Sequence, residues 1–394
     1  MNIIFFSNPS FFGNQAIAQF TSMPRFTKML ANGMIARGHQ VQICTPTAKA
    51  FLLPLKPLKK LLGYVDQYIL FPIELRRCFD KQAADTIFVF TDQAQGPWVS
   101  MFANRPHVVH CHDFLAQNSA LGNIPENPTS LSGRIYQSFI RKGIFKSKNF
   151  ISVSCKTQAD LNKILPYKPK SSNVVYNGLN SLYNPYNYIK ARTLLGNKTS
   201  INLSAGYLLH VGGNLWYKNR IGVIEIYNTF RSTTGLKLPL IMIGGELLQS
   251  ELQLLDNTSY KSDIHFLTGL EDEYVCLAYA GASVFLFPSL AEGFGWPIAE
   301  AMACGCPVIT TNEAPMTEVA GKSGFFIPKR PTNQTDVPYW TVKCTEVVSQ
   351  VLSLTDIERK EIVEAGLFNI RRFDSETALN AIENIYKQII ASDK

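Results

Sequence analysis

Two glutamates, Glu292 and Glu300, stand eight positions apart in the stretch AEGFGWPIAEAMACGCPVITT, residues 291–311. Glycines, a proline, a tryptophan and small apolar side chains surround them. A carboxylate is rarely taken out of water without a partner. Two acids in a segment patterned for close packing therefore need a ligand or a structural counter-charge. Vicinal hydroxyls on a ribose or a sugar are such a ligand, because a carboxylate accepts hydrogen bonds on both oxygens. The structural alternative is that Glu300 complements a helix dipole and Glu292 is solvated. A second stretch, LLHVGGNLWYKNR (208–220), passes from an apolar strand pattern through a Gly-Gly turn to Lys218 and Arg220 at a helix start. Cations and free backbone N–H groups at such a place suit phosphate. In the first stretch Gly293 and Gly295 form a turn, Pro297 suits a first helical turn, and Gly305 stops the helix after about Ala303. Glu292 is then expected in the loop and Glu300 in the first turn of that helix, both able to face one cleft.

The elements that must position these groups are legible as alternating apolar runs and helical segments. Strands are expected at 2–6, 39–46, 86–91, 107–111, 150–154 and 173–178. The series restarts at 206–213, 238–245, 264–269, 283–289 and 306–311. Helices are expected near 23–37 and 219–233, and three more end the chain at 342–352, 355–371 and 374–391. Short two-sided apolar strands separated by helices mean parallel α/β sheets. Two series imply two doubly wound domains, with a linker in the Asn-, Tyr- and Pro-bearing stretch 180–200 and a loop at 329–341. The expected division is 1–185, 186–372 and a final helix, 373–394, crossing back to the first domain. Ligands of such sheets bind beyond the carboxyl ends of strands, and with two domains the natural place is the cleft between them.

Composition sets the limits. The chain has 394 residues, 46% hydrophobic and 17% charged, an ordinary globular balance for two domains. No run of eighteen apolar residues predicts a membrane-spanning helix. The apolar start MNIIFFSNPSFFGNQ lacks a basic region and reads as a first strand rather than a signal peptide. Eight cysteines with no CxxC read as reduced core thiols of a cytoplasmic protein. Net charge is +8, unevenly spread: residues 1–185 carry 20 Lys and Arg against 8 Asp and Glu, and residues 186–394 carry 18 against 22. The basic half points to an anionic surface or substrate.

The combined pattern resembles retaining glycosyltransferases of the GT-B fold, specifically glycosyltransferase family four. PSLAEGFGWPIAEAMACGCPVITT is similar to that family's signature of two glutamates separated by seven residues. HVGGNLWYKNR resembles its phosphate-binding turn. SMPRFTKMLANGMIARGHQVQICTP, VVHCHDF, ISVSCKTQADL and VVYNGLN resemble elements of its N-terminal domain. The resemblance spans most of the chain, leaving out 47–85 and 329–341. It implies two Rossmann-like domains facing a central cleft and transfer of a hexose-type sugar from a nucleoside-diphosphate sugar to a glycan or lipid-linked acceptor, in polysaccharide biosynthesis. Glu300 would grip the ribose hydroxyls, and Glu292 would contact the donor sugar beside its anomeric carbon. Lys218 would neutralise the diphosphate, and His112, with Asp113 beside it, would touch the sugar from the N-terminal domain. Gly212, Gly213, Asn214 and Arg220 belong to the phosphate turn. Backbone N–H groups of Gly293, Phe294 and Gly295 would assist, Thr268 and Leu270 would line the base pocket through backbone atoms, and Gly13 would lie near the phosphates. No cofactor or metal is implied, since cations and helix ends stabilise the leaving diphosphate.

The chain departs from the family where an arginine commonly follows the Val-Gly of the phosphate turn: Gly213 stands there. Asn214, Arg220 or Arg25 are the candidates to compensate. That departure favours a second reading, a GT-B-shaped subunit that binds a nucleotide sugar or glycan without turnover. A nucleotide-sugar epimerase is a third. His110 and His112 alternate at a strand end without a third ligand, so no metal centre is expected. The segment 51–77 mixes leucines with Lys and Arg. It reads either as a helix pair packed on the first domain or as a basic amphipathic face for an anionic membrane, which would make the protein peripheral on the inner membrane surface. Nucleic acid is not an expected partner.

Overall fold

The computed structural model describes residues 1–11, 22–79, 83 and 85–393. The chain divides into two units, Met1–Tyr176 with Glu376–Lys394, and Asn177–Ser375. In unit 1, six parallel strands among the described residues are β1 (Asn2–Phe6), β2 (Gln40–Cys44), β3 (Thr86–Phe90), β4 (His107–Cys111), β5 (Asn149–Ser152) and β6 (Ser171–Val174). Their order is β2-β1-β3-β4-β5-β6. In unit 2 they are β7 (Leu208–Gly212), β8 (Leu240–Gly244), β9 (Ile264–Leu267), β10 (Val284–Phe287), β11 (Val308–Thr311) and β12 (Phe325–Ile327). Their order is β12-β11-β10-β7-β8-β9. The fold is the α/β class that the two-sided apolar runs require.

The period-two geometry of a strand explains why the inner strands are apolar on both faces, while the edge strands β2 and β6 carry polar residues. On β1, Ile4 and Phe6 enter one core with Phe88, Phe90, Val109 and Phe150. Ile3 and Phe5 enter the other with Ile87, Val89, Val108 and Ile151. The second of these cores is closed by the helix Ser22–Ala36 and by the helix Ser375–Ser392. From the latter come Leu379, Ile382, Ile385, Tyr386 and Ile389. Full burial of an aliphatic side chain of this size stabilises by about 1.5–3 kcal/mol, so this helix is a structural member of unit 1. Polar ties reinforce it: His110 Nε2 lies 2.8 Å from Tyr386 Oη, and Arg37 pairs with Glu376 at 2.6 Å. In unit 2, Leu208, Leu240, Met242, Leu286, Ile309 and Ile327 share a core with the helices Arg220–Thr234 and Val337–Leu352.

Several expectations are corrected. The stretch 180–200 is not a linker: it holds the helix Tyr188–Thr199, inside unit 2. Asn187 caps it by accepting from Lys190 N at 3.0 Å, and Ala191 and Leu195, one turn apart, are fully buried. The unit boundary falls at 176/177 instead. The expected loop at 329–341 is shorter, because the helix Val337–Leu352 begins with Pro338 in its first turn and buries Val337 and Trp340. Strand β12, three residues long, carries too short an apolar run to be read from sequence. Glu300 stands in the second turn of its helix, not the first, because the helix begins at Trp296.

Five histidines have their pKa lowered by burial. His110 and His210 fall to about 3, and His107, His112 and His265 move in the same direction. These rings are neutral when folded, while the unfolded chain takes up their protons below about pH 6.5. Stability is therefore full above that value and falls as pH drops. Each buried ring contributes up to about 1.4 kcal/mol per pH unit. Urea unfolding at pH 7 and pH 5 is expected to show a lower midpoint at pH 5; equal midpoints would contradict the buried neutral rings.

Candidate functional site

Strand order in unit 2 reverses between β7 and β10. From β7 the chain moves outward to β8 and β9, then returns to β7's other side at β10 and moves on to β11 and β12. The loops leaving β7 and β10 diverge there, which is where open α/β sheets bind ligands. The loop after β7 is Gly213–Asn219, and the loop after β10 is Pro288–Gly295. These are the two motifs singled out from the sequence.

The two loops meet through charge. Lys218 Nζ donates to Glu292 Oε1 at 2.8 Å, with side-chain exposures of 13% and 7%. Ser289 Oγ donates to the same oxygen at 2.9 Å. The ammonium also lies 5.0 Å from the centroid of the Phe287 ring and 5.3 Å from that of Tyr217. Backbone and cap bonds stitch the loops further. Leu290 N donates to Tyr217 O at 2.7 Å. Asn219 sits at φ 51°, in the left-handed region, where Nδ2 donates to Pro288 O at 2.9 Å and Oδ1 accepts from Gly222 N at 3.2 Å. Asparagine is among the residues that tolerate this backbone and can also cap a helix.

Glu300 lies on the helix Trp296–Ala303, which Gly295 opens at φ 103°. Tyr279 Oη donates to Glu300 Oε2 at 3.0 Å. Tyr279 is fully buried, and desolvation followed by the Glu300 charge raises its pKa well above the ordinary value, so it remains a donor. Phe294 is buried, edge-on to Trp296 at 5.5 Å and to Phe373 at 5.3 Å, so Trp296 packs the helix start. Gly293 stands between Glu292 and Phe294 in the same loop. Thr268 and Leu270 flank Gly269, at φ 65°, in the turn beyond β9.

The phosphate-turn residues separate into two groups. Gly212 ends β7 and pairs in register with Gly244. A Cβ built on Gly213 meets nothing within 4 Å, so the position is open rather than closed to a side chain. Arg220 is the correction here. It was expected as a phosphate contact, but its guanidinium is buried, with Nε 3.2 Å from Glu251 Oε1 and Nη1 donating to Gly245 O at 3.0 Å and to Asn214 Oδ1. Asn214 in turn donates to Glu246 O at 2.5 Å. Both side chains thus brace the turn against the loop after β8. They also wall a cavity of about 590 Å³ that is lined by neither Lys218, Glu292 nor Glu300.

His112 belongs to unit 1, directly after β4. Its Nε2 lies 2.8 Å from Thr91 O, which fixes a hydrogen on that nitrogen and leaves Nδ1 as the acceptor. Its ring packs edge-on against Phe26 at 4.6 Å, and its backbone N donates to Gln93 Oε1 at 2.9 Å. Burial lowers its pKa against the opposing pull of Asp92. The imidazole is therefore neutral at pH 7. Asp113 Oδ1 accepts from Leu115 N at 3.0 Å. Gly13 lies outside the described residues.

Comparison with known proteins gives this geometry a place. Residues 192–336 match the family model for glycosyl transferases group 1, and residues 23–181 match that for glycosyltransferase family 4. The chain belongs to this glycosyltransferase family. It is 32% identical over 186 residues to O-antigen chain mannosyltransferase B of Escherichia coli, a match covering 46% of each chain. The chain thus spans about half the length of that curated relative. A sucrose-phosphate synthase from Thermosynechococcus elongatus superposes with TM-score 0.70 at 15% identity, covering all of both chains. HepE from Anabaena, in complex with UDP and glucose, superposes with TM-score 0.70 at 16% identity, covering 98% of both. The fold is GT-B.

Three residues of the site escaped the sequence reading. Tyr279 lies in the apolar run LAYAG, and a buried tyrosine always needs a partner for its hydroxyl, which was the available signal. Ser289 and Asn219 lie inside the quoted motif stretches but carry no pattern of their own. Asn219 is the joint of the assembly, and its replacement tests this. Asn219→Ala loses the cap, the bridge to Pro288 and the left-handed tolerance, and is expected to destabilise by about 2–3 kcal/mol in urea unfolding. Asn219→Gly keeps the backbone freedom and is expected to cost less; equal losses would remove the strain argument.

Proposed function

We propose that the protein is a retaining glycosyltransferase. It moves a hexose from a nucleoside-diphosphate sugar to a hydroxyl of a glycan or lipid-linked acceptor, in cell-surface polysaccharide biosynthesis. The observation that carries this reading is the Lys218–Glu292 pair at 2.8 Å across the reversal of strand order, beside a loop and helix start that match the family signature. The name of the Escherichia coli relative, an O-antigen chain mannosyltransferase, supports a hexose and a polysaccharide acceptor. The UDP in the HepE complex supports a nucleotide donor in the same fold.

In this reading Glu300, oriented by Tyr279, takes the ribose hydroxyls, and Glu292 contacts the donor sugar near its anomeric carbon. Lys218 exchanges part of its contact with Glu292 for the diphosphate. Backbone N–H groups of Gly293, Phe294 and Gly295 assist with the sugar and phosphates, as do Gly212 and Gly213. Thr268 and Leu270 line the base. His112, neutral and holding its Nδ1 as an acceptor, receives a hydroxyl of the donor sugar. The nucleoside diphosphate departs, and its own phosphate oxygen assists the acceptor hydroxyl on the same face, through an oxocarbenium-like transition state. Charge on the leaving group is met by Lys218 and backbone N–H groups, so no metal is needed. The enzyme works in the cytoplasm at the inner face of the membrane. No helix among the described residues is long and apolar enough to cross one.

One observation favours a second reading, a non-catalytic nucleotide-sugar or glycan-binding subunit: Gly213 supplies no cation where the family commonly has arginine. Calorimetric titration with UDP, GDP, ADP and their sugar conjugates tests both. One nucleotide is expected to bind, and Glu300→Ala is expected to weaken it roughly tenfold to a hundredfold, the range for hydrogen bonds to a charged group. Product formed from the matching sugar conjugate, with the anomeric configuration kept, completes the case. Binding without turnover favours the subunit reading, and no binding by folded protein to any of them overturns the transferase and leaves the glycan-binding subunit.

A further inference from the structure

Unit 1 carries a surface that its own core does not use. On the helix Leu131–Ile144, Leu131 and Ile135 are 75% and 64% exposed, and Phe139 is exposed one turn on. Spaced by four, the three form a single stripe along the helix. Beside it lies the helix Lys59–Val65 and the turn that continues it, Asp66–Leu70. The two are joined by rings: Tyr64 stacks on Tyr136 at 5.2 Å, Tyr68 Oη lies 2.8 Å from Tyr136 Oη, and Tyr68 meets Phe139 at 5.2 Å. Before and on this second helix, Leu52, Leu58 and Leu61 are exposed, Leu52 to 71%. Scattered exposed leucines need no explanation, but rows on two helices that share an aromatic seam do.

The charges carried along these rows are of one sign. Between Ala50 and Val65, and again between Asn127 and Ala159, every charged side chain is Lys or Arg. Lys60, Arg134 and Lys142 are exposed among the apolar side chains. The nearby Asp66 is 1% exposed and spends its carboxylate on the backbone N–H groups of Lys49, Ala50 and Phe51. A second copy of the same face would bring like charges together. A surface that is apolar, basic along its rows and built on helices lying side by side suits an anionic bilayer.

We propose that unit 1 docks on anionic lipid through Leu58, Leu61, Leu131, Ile135 and Phe139, with Lys60, Arg134 and Lys142 against the headgroup phosphates. This extends the membrane-side location of the proposed transferase to a particular face, and it stands on surface geometry alone. A basic side chain near an anionic surface contributes about 1 kcal/mol, roughly a fivefold change in partitioning.

Flotation of the full chain with phosphatidylcholine vesicles, with and without phosphatidylglycerol, is the test. The protein is expected to float with the anionic vesicles, to be released by salt, and to stay behind with the neutral ones. Ile135→Asp with Phe139→Asp is expected to abolish flotation. Lys60→Glu with Arg134→Glu is expected to lower partitioning at least twentyfold, counting each residue at about fivefold. No flotation by the unaltered chain, or equal flotation with neutral vesicles, overturns the proposal. So does light scattering that shows a dimer which Ile135→Asp converts to monomer, since the face then belongs to a second copy. Nucleotide titration of the same samples without vesicles separates this from the donor reading. Nucleotide binding in the flotation-defective variants shows that they are folded; nucleotide binding without flotation of the unaltered chain sinks only the docking, and flotation without nucleotide binding sinks only the transferase.

Discussion

An ammonium and a carboxylate, 2.8 Å apart and mostly out of water, hold together two loops that the sheet drives apart. The reversal of strand order sends the chain away from β7 on one side and away from β10 on the other, so a crevice opens between them by topology. Without a tie across it, the glycine turn after β7 and the Glu292 loop after β10 would each be set only by its own strand. Lys218 and Glu292 supply the tie, Ser289 shares the carboxylate, and Asn219 anchors the turn to Pro288. A buried pair of this kind costs desolvation that its attraction only partly offsets. Its presence at a crevice is therefore easier to explain by the ligand chemistry proposed for it than by stability.

Much of this was legible in the sequence because parallel sheets leave a strong trace. Strands buried on both faces read as apolar runs, as in β1, β3, β8 and β10, whereas the edge strands β2 (QVQIC) and β6 (SSNV) do not. The motif loops follow those runs directly, so Glu292, Lys218 and Gly213 could be placed beyond strand ends before any coordinates. The failures share a cause. Tyr188–Thr199 has an apolar face of two residues, Ala191 and Leu195, too narrow to register as a period against its Asn- and Tyr-rich surroundings. Strand β12 is three residues long. Arg220 reads as a surface cation by type and position; only the fold reveals Glu251, thirty-one residues on, as its counter-charge. Tyr279 is silent for the same reason, since its bond to Glu300 crosses between two helices.

The two units divide the charge between them, and the structure gives the division a shape. In unit 2, three inward-facing cations are matched by acids: Lys218 with Glu292, Arg220 with Glu251, Arg330 with Glu225 at 2.7 Å. In unit 1 the helix Leu131–Ile144 and the segment from Ala50 to Val65 carry cations and no acids at all. Positive charge that is neutralised at home shapes a site, whereas positive charge left in rows beside exposed leucines faces outward. The same excess of Lys and Arg that the composition records as a single figure is thus spent in two different ways.

The helix Ser375–Ser392 has a consequence for how the protein is made. It completes the core of unit 1 with Leu379, Ile382, Ile385 and Ile389, yet it is synthesised only after all of unit 2. Strands β1 to β6 emerge first and then wait while all of Asn177–Ser375 is synthesised. At roughly 5–20 residues per second, that interval is about 10–40 s. During it the apolar positions Ile3, Phe5, Ile87 and Val89 have one covering helix instead of two. Unit 2, whose elements are contiguous in the chain, closes on itself before unit 1 does. The order of synthesis is thus inverted in the order of completion.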